Sequence, residues 1–142
     1  MAVTISLYNH AAKLFADGSN AVASKTFKVK LFTAATFNAT HTTETAAGGT
    51  EVANGNGYTT GGATLSGVAV TTVTTNDAMF DANDVTWSAS GGAITASCAR
   101  IYNSTDSTPL AFVDFGGSES AGDGTDFKIV WNASGIFTFT VA

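Results

Sequence analysis

The side chains in this sequence that could do chemistry are mostly oxygen ligands and carboxylates. Asn76, Asp77, Asp81, Asn83 and Asp84 form one dense run of side-chain oxygens. Calcium takes several such ligands. The spacing is not that of an EF-hand loop, however, and Asx residues are the ordinary material of turns. The run is read as turn geometry, with no metal. Asp114, Glu119, Asp123 and Asp126 form a second acidic group. A glycosidase needs two well-placed carboxylates, and Tyr58, Trp87, Tyr102 and Trp131 would supply sugar-stacking rings. Trp87 and Trp131 lie in alternating segments, where burial is the expectation. His10 and His41 each stand apart from any Cys or second His, so neither is expected to ligate a metal or act as a base. Cys98 sits among small residues and reads as a buried filler. Gly55, Gly57, Gly61 and Gly62 superficially suggest a phosphate cradle. The Lys-Ser/Thr ending of a P-loop and its βαβ setting are both missing. With no Ser-His-Asp, Cys-His or metal-ligand pattern, the expectation is a protein with no catalytic residue, no metal and no cofactor.

Bulk composition points the same way. A chain of 142 residues fits one domain, 1–142, with enough material for a core. Charged residues are 12% of the chain, about half of the usual ~25%. A Thr-, Ser-, Asn- and Gly-rich surface costs little to desolvate against another protein. Net charge is −5 with six Lys+Arg. The only basic cluster is Lys25, Lys28 and Lys30, too little for a nucleic-acid partner. One cysteine excludes an internal disulfide. The first residues, MAVTISLYNHAAKLFADG, lack a basic region followed by an apolar core, and no apolar run approaches the ~20 residues of a membrane span. Synthesis in a reducing cytoplasm and no membrane partner are expected. The N-x-Ser/Thr sites at Asn38, Asn103 and Asn132 are what such a composition produces by chance.

The elements that must carry these residues read as short strands. Val3, Ile5 and Leu7 share a face of a first strand. Asn9 is placed to cap a helix through Phe15, with Gly18 as its stop. Leu14 and Phe15 lie on its apolar side. Alternatively, residues 1–24 are an arm that docks on a neighbouring subunit, and Leu14 and Phe15 would then make the contact. In 26–33, Phe27, Val29 and Leu31 face one way and Lys28, Lys30 and Phe32 the other. Lys28 and Lys30 are read as a solvated face that blunts an edge, or as contacts to an acidic partner. Residues 40–44 suggest one helical turn or a surface excursion. Strands are expected in 63–75 (one long or two short), from Met79-Phe80, through Val85, Trp87 and Ala89, in 93–102, in 110–115, over Phe127, Ile129 and Trp131, and in 136–141. Asn76-Asp77 and 81–84 are turns. Gly91-Gly92 is expected to close a hairpin, and Asn132 to Gly135 another; Gly116 to Asp126 reads as a loop. Pro109 falls at the end of a turn. Many short strands with glycine-rich turns predict an all-β antiparallel sandwich, jelly-roll-like, with a short N-terminal arm or helix. The stretch Glu51 to Leu65 holds four glycines and two asparagines. It reads as a projecting or crossover loop anchored by the amphipathic ring of Tyr58.

Four segments together carry a resemblance: Glu51-Val52-Ala53-Asn54-Gly55-Asn56-Gly57-Tyr58, Asp84-Val85-Thr86-Trp87, Thr108-Pro109-Leu110-Ala111-Phe112-Val113-Asp114-Phe115-Gly116, and Phe127-Lys128-Ile129-Val130-Trp131-Asn132. The combination, spread from Leu31 to Ala142, resembles small structural proteins encoded in tailed-bacteriophage and prophage genomes. The resemblance implies a virion component, β-rich and oligomeric, whose partners are the major capsid protein or other virion proteins. It carries over no receptor or catalytic residue. One compact, weakly charged domain fits a capsid decoration (cement) protein that binds many equivalent sites as a homo-oligomer, with a trimer as the guess. A tail-associated or fibre-head protein that binds a host glycan or receptor is the alternative, and a small carbohydrate-active enzyme is the third reading. Tyr58, Lys28, Lys30, Leu14 and Phe15 are the candidate interaction residues.

Overall fold

The computed structural model describes residues 3–73 and 77–140. Asn76, of the expected turn and oxygen cluster, and Val141, of the expected last strand, lie outside them. In chain order the elements are β1 (Thr4–Leu7), α1 (Asn9–Ala16), β2 (Phe27–Ala34), α2 (Glu44–Ala47), β3 (Thr50–Glu51), β4 (Ala63–Thr64) and β5 (Ala69–Thr72). They continue with β6 (Asp77–Asp81), β7 (Val85–Ser88), β8 (Ile94–Asn103), β9 (Thr108–Ala121), β10 (Asp126–Ile129) and β11 (Phe137–Thr140). Among the described residues every strand pairing is antiparallel. One sheet runs β1-β9-β8-β2-β3, with β4 also on β2. The facing layer is a two-stranded sheet, β10-β7, and a three-stranded one, β11-β6-β5. The expected all-β antiparallel sandwich is what forms. Jelly-roll connectivity is not established by that order.

The alternation in β2 does what its residues dictate. Phe27, Val29 and Leu31 are buried in the core, while Lys28 and Lys30 point to the other face. That face is not an edge, however. β8 lies on one side of β2, and β3 and β4 lie on the other. The expected role of the lysines as edge blunters is therefore corrected. β8 is buried on both faces, including Ile94, Ala96, Ala99 and Ile101. It is the centre of the larger sheet.

Three local expectations fail, the first two because pairing is non-local and the third because a bulge lets a strand continue. β7 and β8 do not form a hairpin across Gly91-Gly92. β7 pairs with β10, matching Trp87 to Phe127 and Val85 to Ile129. The last two strands are not a hairpin either: β11 pairs with β6, matching Phe137 to Phe80. Their turn is real, with Gly135 N–H donating to Asn132 O at 2.9 Å, but Ile136 N–H then donates to Phe80 O at 2.8 Å. The chain bends and changes sheet. β9 continues past Gly116 to Ala121, so that only 122–125 of the expected loop lie outside a strand. Its register against β8 shifts between Cys98–Asp114 and Ala96–Glu119. The bulge is held by Asp114 Oδ1, which accepts from Gly116 N–H at 2.8 Å. Gly116 has φ 76°, a conformation that glycine adopts freely. Pro109 pairs with Tyr102 at a second register shift, where a missing N–H is tolerated.

Aromatic side chains join the layers. Phe15 of α1 lies 5.7 Å from Phe80 and 5.4 Å from Phe139 by ring centroids, and stacks on Phe27 at 6.5 Å. Phe80 and Phe137 stack at 4.8 Å. At the other end Tyr58, Trp87, Phe127 and Phe115 run as a chain of neighbouring rings. Residues 4–16 belong to this sandwich, with β1 paired to β9 and α1 packed on the same strand. They form a strand and a helix, not an extended arm. The N-cap position falls on Tyr8, with no side-chain cap, so Asn9 opens the helix instead of capping it. The second helical turn sits slightly later than expected. Thr43 caps α2 by accepting from Ala46 N–H at 3.2 Å.

Candidate functional site

The loop from Glu51 to Leu65 is fastened at its midpoint. Gly55 and Tyr58 exchange two backbone hydrogen bonds of 2.9 Å across Asn56-Gly57. This tight turn points the Tyr58 ring inward, where it is buried beside Trp87. The Tyr58 hydroxyl donates to Glu51 Oε1 at 2.7 Å and accepts from Leu31 N–H at 3.1 Å. Glu51 Oε1 also accepts from Gly61 N–H at 2.6 Å. Burial pushes the Tyr58 phenol well above its ordinary range, so it stays a neutral donor. Tyr58 therefore anchors the loop from inside. Tyr58→Phe should lose about 1–3 kcal/mol, because the buried Leu31 N–H loses its acceptor. Tyr58→Ala should lose about 3–5 kcal/mol. Urea unfolding of the two variants measures both; equal stability of Tyr58→Ala and the parent chain would make the loop a mere spacer.

The polar face of β2 and β8 carries an ion-pair network that the sequence reading missed. Arg100 Nε donates to Glu44 Oε1 at 2.7 Å, and Nη2 to Glu44 Oε2 at 3.1 Å. Nη2 also donates to Gly48 O at 2.8 Å. The guanidinium sits 4.4 Å over the Phe32 ring. Lys30 Nζ reaches Glu44 Oε2 at 3.2 Å and lies 4.4 Å over the Tyr102 ring. Tyr102 in turn donates to Gly61 O at 2.8 Å. The network holds residues 44–62 against the sheet. Its only signal in sequence was an arginine inside a strand whose other residues are apolar or small.

The lysines of the expected basic cluster are thus dispersed among acids. Lys25 pairs with Asp106 at 2.9 Å and Lys30 with Glu44. Lys28 is half-buried, in register with Tyr102. Leu14 is half-buried, and Phe15 is committed to the aromatic cluster of its own chain.

Asp84 of the first acidic group, and Asp123 and Asp126 of the second, each make their own hydrogen bond. Asp84 Oδ1 accepts from Trp131 N–H at 3.0 Å, while Asn83 O accepts from the Trp131 indole at 3.1 Å. Asp123 Oδ1 accepts from Gly91 N–H at 2.8 Å. Asp126 Oδ1 accepts from Ser88 Oγ at 2.7 Å. Among the described residues no group of three or more His, Cys, Asp and Glu is placed to hold a metal. Tyr58, Trp87, Tyr102 and Trp131 are all buried, so they present no solvent-facing sugar platform. Cys98 is buried, and burial pushes its thiol upward, away from nucleophilic thiolate character.

The open surface lies on another side. A groove of about 660 Å³ separates β1 and β9 from β10. Val3, Ile5, Phe115, Glu119, Asp126 and Val130 are among its lining residues. Val3, Ile5 and Val130 are 58%, 38% and 66% exposed. Among the described residues β1 pairs only with β9, and β10 only with β7. Two free strand edges with exposed valine and isoleucine therefore border one groove. Such an edge is a template for another chain unless it is covered. No family model, curated protein or solved structure matches the chain.

Proposed function

We propose that this chain is a non-enzymatic structural protein of a tailed-phage virion, which decorates and stabilises the capsid through protein–protein contacts. The observation that carries the reading is the apolar rim of Val3, Ile5 and Val130 between the free edges of β1 and β10. It suits a repeated contact with the major capsid protein or with sister copies in a homo-oligomer. The low charge of the chain keeps desolvation of such a contact cheap. The sequence resemblance to small virion proteins points to the same class.

The test uses particles made with and without the protein. Particles lacking it should release their genome at lower temperature. Unchanged heat resistance removes the decorating role, and labelled protein found only on tails moves the reading to a tail-associated protein. Val3→Asp combined with Val130→Asp should cut incorporation into particles by at least about tenfold, equivalent to ~1.4 kcal/mol of contact energy. The thermal midpoint of the free protein should barely change, since these side chains are exposed. Full incorporation of that variant would move the contact elsewhere.

A further inference from the structure

Where β8 ends, an amine, a carboxylate and a carboxamide meet. Lys25 Nζ lies 3.1 Å from Asp106 Oδ1 and 2.9 Å from Asp106 Oδ2. Asn103 Nδ2 donates to the same Asp106 Oδ2 at 2.9 Å. Amine and carboxamide are therefore gathered around one oxygen atom. The Asn103 side-chain carbonyl accepts two backbone N–H groups, from Thr105 at 2.9 Å and from Asp106 at 3.2 Å. Its amide nitrogen also donates to Asn20 Oδ1 at 2.9 Å. Asn103 is fully buried, and the Lys25 side chain is 25% exposed. These are the parts that acyl transfer needs: a nucleophile, a proton carrier touching both nucleophile and leaving group, and paired N–H donors on the carbonyl oxygen.

We propose that Lys25 and Asn103 become joined by an intramolecular isopeptide bond, with Asp106 moving the protons. Asp106 takes one proton from the Lys25 ammonium. The neutral amine adds to Asn103 Cγ, and the N–H groups of Thr105 and Asp106 hold the oxyanion that forms. Asp106 passes its proton to Nδ2, the Cγ–Nδ2 bond breaks, and ammonia leaves. The remaining extra proton on the new amide nitrogen departs through Asp106 to ammonia. The net change is lysine ammonium plus carboxamide to secondary amide plus ammonium ion. No electron is transferred and no co-reactant is consumed. An ordinary Asx turn beside an ion pair would account for each contact singly. The bridging of Lys25 and Asn103 by one carboxylate, over a carbonyl already carrying two donors, is what points further.

The hydrogen bond from Lys25 holds the Asp106 carboxyl below its usual range. Asp106 therefore rests as the carboxylate, and the form in which it holds the transferred proton is the minor one. The bond forms slowly, after folding has assembled the site. It ties the segment entering β2 to the β8–β9 turn with a link that reductant does not cleave.

Intact-mass spectrometry of the purified full chain, with peptide mapping, tests this. The wild-type chain should be lighter than its sequence by one ammonia, and the peptide holding Lys25 should be found linked to the one holding Asn103. Lys25→Arg and Asp106→Asn should each restore the full mass. Succinimide formation at Asn54-Gly55 or Asn56-Gly57 also expels ammonia, but it yields no linked peptide and survives Lys25→Arg. A wild-type chain that keeps its full mass after prolonged storage overturns the proposal, as does an ammonia loss that persists in Lys25→Arg.

Discussion

Gly62→Ala should leave little folded protein, with a loss of at least about 4 kcal/mol. Gly62 has φ +76°, and a Cβ placed there would stand 1.9 Å from Val29 O and 2.6 Å from Val29 C. Those atoms belong to β2, whose Val29 is buried and paired with Ile101 and Ala63. Neither partner can retreat without opening the larger sheet. The comparison is Gly18→Ala. Gly18 has a similar φ of +81° but nothing within 4 Å. It should pay only the left-handed backbone cost, about 1–2 kcal/mol. Far-ultraviolet circular dichroism during thermal unfolding separates the two. Equal midpoints would mean that the loop does not press on β2 as closely as these distances require. Gly57 repeats the situation on the facing layer, where a Cβ would meet Ser88 O at 2.1 Å. Of the glycines that superficially suggest a phosphate cradle, Gly57 and Gly62 are there because two backbones pass too close for any side chain, whereas Gly55 and Gly61 have positive φ with no such clash.

That contrast shows where the sequence was readable. Phe27, Val29 and Leu31 alternate because one face of a strand meets the core, and such a period survives whatever the strand pairs with. Trp87, Trp131 and Cys98 were expected inside for the same kind of reason, and they are buried. Turns were also legible as bends, at Gly91-Gly92 and at Asn132 to Gly135. A bend does not say which strand receives the chain next. β7 finds β10, and β6 finds β11, across long separations that no local pattern encodes. The β9 bulge was invisible because Gly116-Gly117 reads as a strand end. Asp114 supplies the hydrogen bond that lets the strand continue past it. The charged network was hidden for a further reason. Glu44 and Arg100 are 56 residues apart, and neither neighbourhood names the other.

Removing either member of that pair should be the second most damaging change. The Arg100 and Glu44 side chains are only 2% and 9% exposed. Arg100→Ala strands the Glu44 carboxylate under the loop with Lys30 alone, and Glu44→Ala strands the guanidinium over Phe32. Each should cost about 3–5 kcal/mol, the range for breaking a buried pair. Arg100 Nη1 is buried without a hydrogen-bond partner among the described residues, so the guanidinium is imperfectly satisfied even when paired. The double variant Arg100→Met/Glu44→Leu should therefore recover most of the loss, because it removes both desolvation costs together. Lys30 would keep its place over Tyr102 and its access to solvent. Urea unfolding of all four proteins gives the coupling energy directly. A recovered double variant with α2 still docked would mean that apolar contact suffices to hold residues 44–62. A double variant no better than the single ones would mean that the fork of hydrogen bonds to Glu44 and Gly48 sets the position of α2, and with it the path of the loop that Tyr58 anchors.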